Sequence, residues 1–140
     1  MPESIFVDAG YIIGLLNPRD QHHGVAEELA DAVDDNDFVT SEMVLTEVLN
    51  GLSDKGKELR NLAVNVVREF KSSDNDVVVV PQTSDQFEQA LDLYANRNDQ
   101  EWGLTDCASC LIMQEMEITD ALTHDHHFVQ MGFNALMRND

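Results

Sequence analysis

The chain has 140 residues, 43% of them hydrophobic, so it can bury a substantial core and fits one domain, here taken as residues 1–140. Its 27 Asp and Glu against 8 Lys and Arg leave a net charge of -19, which excludes nucleic-acid binding through a broad basic face. The hydrophobic content excludes an acidic disordered tail, no run approaches the ~18 apolar residues of a membrane span, and two cysteines are too few for a disulfide scaffold.

In chain order, the start MPESIFVDAG lacks a basic region followed by an apolar segment, so no signal peptide is expected and a cytoplasmic location is. IFV (5–7) reads as a strand, followed by a helical turn around YIIGLL (11–16) and a turn at Pro18. GVAEELADAVDD (24–35) is a helix with Val25, Leu29 and Val33 on one face. DFVT (37–40) is strand-like, and Ser41 is placed to cap the helix EMVLTEVLNGL (42–52). A turn at SDKGKE (53–58) precedes a helix from Leu59 to Phe70. VVVV (77–80), β-branched and ended by Pro81, reads as the clearest buried strand. Ser84 opens a helix with Phe87, Leu91 and Tyr94 about one turn apart, and Thr105 is read as the cap of another that runs through Met116. ITDALT (118–123) leads to Asp125, HHFVQMG (126–132) is a short helix, and FNALM (133–137) is a final edge strand.

Strand alternating with helix predicts the α/β class, with a parallel sheet covered on both faces. Ligands of such sheets gather at the carboxyl ends of the strands, where strand order reverses. Asp8 and Asp125 both fall at such ends. An Asp there can equally cap the next helix, and Asp106, in GLTDCAS, sits in a first helical turn where the dipole alone favours an acid. The helix behind it is apolar around most of its girth, with Ser109 one turn on from Asp106. Glu47 lies off the stripe of Val44, Leu45, Val48, Leu49 and Leu52, so helical spacing alone puts it on the surface.

Three blocks extend the reading: FVDAG with LLNPRDQHH, then VTSEMVLTEVLNGL, then WGLTDCASCLIMQEMEITDALTHDHHFVQMGF. Together they resemble a PIN domain of the VapC toxin type over nearly the whole chain. The last block, an acid, an apolar helix and a strand ending in T-x-D-x-H-F, is the most specific. The resemblance implies a three-layer sandwich with a mostly parallel sheet between helices. It also implies a cluster of four acids, which fall on Asp8, Glu47, Asp106 and Asp125, with Thr123 as the hydroxyl residue two places before the last. His126 stands where many relatives carry a basic residue, and His124 where an aromatic or apolar one is common.

Clustered acids repel one another unless a cation or a proton intervenes. Oxygen-only ligands suit Mg²⁺ or Mn²⁺, which lower the pKa of water and offset phosphate charge. The expected function is a metal-dependent endoribonuclease, with Asp8 and Asp106 as principal ligands, Asp125 completing the site, and Glu47 binding metal or orienting water. The resemblance further implies a toxin held inactive by a cognate antitoxin, and a homodimer. Alternatives are a PIN nuclease of RNA processing and a non-catalytic PIN-like binding module.

The acidic composition suits a salt-rich, halophilic cytoplasm, where self-repulsion is screened, or else a basic partner. Cys107 and Cys110 form C-x-x-C inside an apolar helical stretch, which favours core packing over zinc or redox chemistry. His124, His126 and His127 can complete a zinc site, contact phosphate or line a turn, and His22 and His23 read as a solvated helix start. Lys55, Lys57 and Arg60 form the one local basic group, a solvated cluster or a contact for RNA or a partner. Trp102 packs, or stacks a base.

Overall fold

A computed structural model describes residues 3–72 and 75–138. Twelve elements follow one another along these residues. They are β1 (Ser4–Val7), α1 (Ala9–Leu16), α2 (His23–Ala32), β2 (Asp37–Ser41), α3 (Glu42–Gly51), α4 (Lys57–Phe70), β3 (Val77–Val80), α5 (Ser84–Asn96), α6 (Leu104–Glu115), β4 (Asp120–Leu122), α7 (His126–Gln130) and β5 (Asn134–Ala135). The five strands form one sheet in the order β3-β2-β1-β4-β5, and every pair is parallel. The expected α/β sandwich is therefore present, and its sheet is wholly parallel. None of the described helices is long and apolar enough to cross a membrane.

The order places β1 at the centre. The chain leaves β1 for β2 on one side, then returns past it to β4 on the other. The reversal therefore lies between β1 and β4, whose register pairs Val7 with Leu122. Phe6, Val44, Val48, Leu52, Met113, Leu122 and Phe128 are fully buried in the main core. The Phe6 and Phe128 rings lie 6.4 Å apart, which locks the C-terminal block onto the central strand.

Several expectations are corrected. The VVVV run does form a strand, but β3 is a sheet edge and Val78 is half exposed, so it is not buried on both faces. A β-branched run marks extended backbone; it carries no information on strand position. Thr105 does not cap α6: the cap is Gly103, and Asp106 reaches back to accept the Gly103 N–H at 3.0 Å. Ser41 caps α3 as expected, its Oγ accepting from Val44 N–H at 3.1 Å. In α5 the cap is Thr83, and the helix buries Ala90 while Phe87, Leu91 and Tyr94 stay exposed. Leu49, assigned to the apolar stripe of α3, is also exposed.

Candidate active site

The carboxyl end of β1 delivers Asp8 to the N-cap position of α1, where its carboxylate meets the Ala9 N–H but makes no capping bond further into the first turn. It turns instead toward β4, where the buried Thr123 hydroxyl donates to Asp8 Oδ2 at 2.6 Å. The backbone is fixed as well, through a 3.1 Å bond from Asp8 N–H to the Leu122 carbonyl. The capping explanation for Asp8 thus fails, and the carboxylate stands at the switch point of the sheet.

Thr123 Oγ1 also accepts the Asp125 N–H at 3.1 Å, so one hydroxyl organises both strand ends. Asp125 does cap a helix: its Oδ1 accepts from His127 N–H at 2.9 Å at the start of α7. The His127 ring then bridges two acids, its Nδ1 lying 3.1 Å from Asp106 Oδ2 and 3.2 Å from Asp125 Oδ1. Both partners are acceptors when ionised, so the geometry assigns the proton to Nδ1. Sequence reading gave His127 no special place among the three nearby histidines; its position in the T-x-D-x-H-F block was the available signal.

Glu47 comes from the neighbouring layer. Helical spacing put it on the surface, and the residue as a whole is exposed. Its carboxyl nonetheless turns to the same cleft and bonds to Thr105, the residue first read as a cap. Desolvation pushes the Glu47 carboxyl up, and repulsion from Asp8, Asp106 and Asp125 pushes it further. Burial likewise raises Asp8 to about 6, against the lowering effect of Thr123 and the Ala9 N–H and with added repulsion from Asp106 and Asp125. Asp106 is raised by desolvation and by Asp125, while Gly103 N–H and His127 pull it down. Four carboxyls, from the end of β1, from α3, from α6 and from the start of α7, therefore converge closely enough that Asp106 and Asp125 oppose ionisation of Asp8 and Glu47, and Asp125 opposes that of Asp106.

This donor set fits a divalent cation. It offers hard oxygens in a partly desolvated cleft, and three of the four groups hold their protons more tightly than usual when no cation is present. A second grouping, Asp125, His126 and His127, has ligand atoms within 4.8 Å of one another and overlaps the first at Asp125. It offers imidazole nitrogens and is less suited to a hard ion.

The family model of the PIN domain matches residues 5–134. The chain belongs to the PIN-domain family. No curated protein matches its sequence. Among solved structures, the chain is similar to VapC20 of Mycobacterium tuberculosis, described as a toxin that cleaves the sarcin–ricin loop. The two share 28% identity with a TM-score of 0.80, over 92% of this chain and 95% of that one. The PIN fold was thus legible in the sequence.

Other side chains singled out by the sequence pack within the fold. Cys107 and Cys110 are buried, and burial raises both thiols, Cys110 to about 11. Trp102 is buried, donates Nε1–H to Gln130 at 3.0 Å and carries Arg97 over its ring at 4.8 Å. His22 and His23 are not a solvated helix start. His22 stacks on His124 with ring centres 3.8 Å apart, and His23 Nδ1 lies 2.7 Å from the Gly14 carbonyl.

Proposed function

We propose that the chain is a metal-dependent endoribonuclease, the toxin of a toxin–antitoxin pair, and that Asp8, Glu47, Asp106 and Asp125 form its catalytic and metal-binding site. The observation that carries this reading is the convergence of these four carboxyls, each of the first three raised by burial and by its neighbours. The similarity to VapC20, a toxin that cleaves an RNA loop, supports RNA as the substrate. Mg²⁺ or Mn²⁺ is the cofactor of choice for such oxygens.

When bound, the ion supplies Lewis acidity and a water of lowered pKa at the cleft. The protein's own part is positional. Asp8 is clamped by Thr123, Asp106 by Gly103 and His127, and Asp125 by its own helix start. Glu47, held by Thr105 and near enough to Asp8 for their charges to oppose, would bind the ion or orient the attacking water. The buried cysteines, with raised thiol pKa values, are not competing nucleophiles.

A cognate antitoxin would cover this cleft, and an Arg presented to the carboxylates would satisfy them in place of the ion. The exposed Phe87, Leu91 and Tyr94 on α5 support a self-associating, dimeric chain. The test is cleavage of total RNA by the purified chain at high salt with Mn²⁺, with Mg²⁺ and with EDTA. Cleavage should need the ion and should fall at least ~100-fold in Asp8→Asn and Asp106→Asn. Normal cleavage by both variants would overturn the assignment.

A further inference from the structure

A recess of about 660 Å³ lies between the turn after α1 and the turn before α4, lined by Arg19, Lys55 and Lys57 with Glu58 as the one acid. It adjoins a second of about 620 Å³ that shares Asn17, Arg19, Lys55 and Leu59 and adds Asp20 and Asp54. Three of the eight basic residues of a chain at -19 therefore meet at one place. Arg60, grouped with them by sequence, instead donates to the Ser53 carbonyl at 2.9 Å. Arg19, distant in sequence, replaces it.

Two of these cations are notable for what they do not do. With 27 acids in the chain, neither the Arg19 guanidinium nor the Lys57 ammonium forms an ion pair among the described residues. Lys55 reaches only its neighbour Asp54, at 3.7 Å. Leu16, Leu59 and Leu62 supply an apolar lining between the charges.

The recess is tied to the acidic cleft by two helices. α1 begins beside Asp8 and ends at Leu16 on the recess wall, eight residues away or about 12 Å along the axis. α3 carries Glu47 and ends at Gly51, shortly before Lys55. The helices touch at Gly51, where a Cβ would sit 2.8 Å from Ile13 Cδ1. That close approach keeps the two turns, and their cations, side by side.

We infer that Arg19, Lys55 and Lys57 form a phosphate-binding groove that grips single-stranded RNA beside the bond to be cut. The inference rests on the ribonuclease reading. A strand entering an acidic cleft on an acidic protein is repelled nearly everywhere, and this groove is a local exception. Its cations grip the RNA backbone and are blind to base identity.

The test compares two variants of equal net charge: Arg19→Gln/Lys57→Gln in the groove and Arg68→Gln/Lys71→Gln on the exposed end of α4. Cleavage of a single-stranded RNA with Mn²⁺ gives KM and kcat, and anisotropy in EDTA across a salt series gives the salt slope. The groove variant should raise KM about tenfold with kcat nearly unchanged, and flatten the slope by about 1.4, or ~0.7 per lost phosphate contact. The control should match wild type, and Mn²⁺ calorimetry should be the same for all three. Equal KM and slope in both variants, with wild type cleaving, would overturn the groove alone. A groove variant that keeps its RNA KM but loses affinity for an acidic peptide would assign the recess to a protein partner and overturn the proposal. A wild type that binds Mn²⁺ yet neither binds nor cuts RNA would remove the ribonuclease reading, and the groove with it.

Discussion

The Thr123 hydroxyl donates to Asp8 Oδ2 at 2.6 Å, joining the ends of β4 and β1 across 115 positions of sequence. Both side chains are buried, so the bond is made in low dielectric and favours the ionised carboxylate, partly offsetting the burial that raises it. Thr123→Val removes the donor and keeps the shape. Asp8 should then hold its proton more tightly, and Mn²⁺ affinity at pH 6 should fall about tenfold or more. The deficit should shrink at pH 8, where the proton no longer competes, and Thr123→Ser should restore affinity. Calorimetric Mn²⁺ titrations at the two pH values check this; equal affinity of the Val variant at pH 6 counts against the role.

Asp8 also sets a pH dependence of stability. Its carboxyl rises from 3.8 to about 6 on folding, mainly through burial. Between those values the native chain binds more protons than the unfolded one, so the stability of the metal-free protein falls as pH rises through that window. Above about pH 6 the accumulated cost is about 3 kcal/mol. Asp8→Asn has no such titration and should be more stable than wild type in EDTA at pH 7, with the advantage vanishing near pH 4. Melting curves in EDTA across this range decide it. Parallel curves for the two proteins would contradict the burial argument.

How much of this site sequence could reveal follows from where each constraint lives. Asp8 and Asp125 were legible because a parallel strand ends one residue before the first and three before the second, but only the fold brings Thr123 to Asp8 and so separates a site residue from a helix cap. Glu47 was opaque to helical spacing because α3 turns one face to the core and another to the cleft, and periodicity registers only the first. The family resemblance supplied what periodicity lacked. The cap was misplaced by two residues: Gly103, not Thr105, is the cap, and the Asp106 side chain takes over the capping bond. Arg19 escaped notice because the basic groove joins two turns far apart in the chain.

His127 should act as a positioning residue. Its Nδ1 serves Asp106 and Asp125 at 3.1 and 3.2 Å, on α6 and at the start of α7. His127→Ala leaves those carboxylates facing each other without the shared donor. The metal-free chain should lose about 1–2 kcal/mol and RNA cleavage should drop about 10–100-fold. His127→Asn, which retains a donor, should recover part of both. A plain cavity effect would lower stability in the Ala variant while leaving Mn²⁺ affinity intact, so calorimetry distinguishes the two.

Gly10 has a steric role that a double-mutant cycle can isolate. It lies in the first turn of α1, and a Cβ built there would stand 2.6 Å from His124 Nε2 and 2.8 Å from Cδ2. The His124 ring cannot retreat freely, because its other neighbour, His22, stacks on it at 3.8 Å. Helix propensity favours Ala over Gly by about 1 kcal/mol, whereas overpacking costs about 1–3 kcal/mol. The clash should win, so Gly10→Ala should destabilise. In a His124→Ala background the clash is gone, and the same change should become neutral or stabilising. A coupling energy of at least ~1 kcal/mol between positions 10 and 124, from denaturant melts of the four proteins, is the expected result. Additive effects would mean that the imidazole moves aside at no cost and that the glycine is not required by the His22–His124 stack.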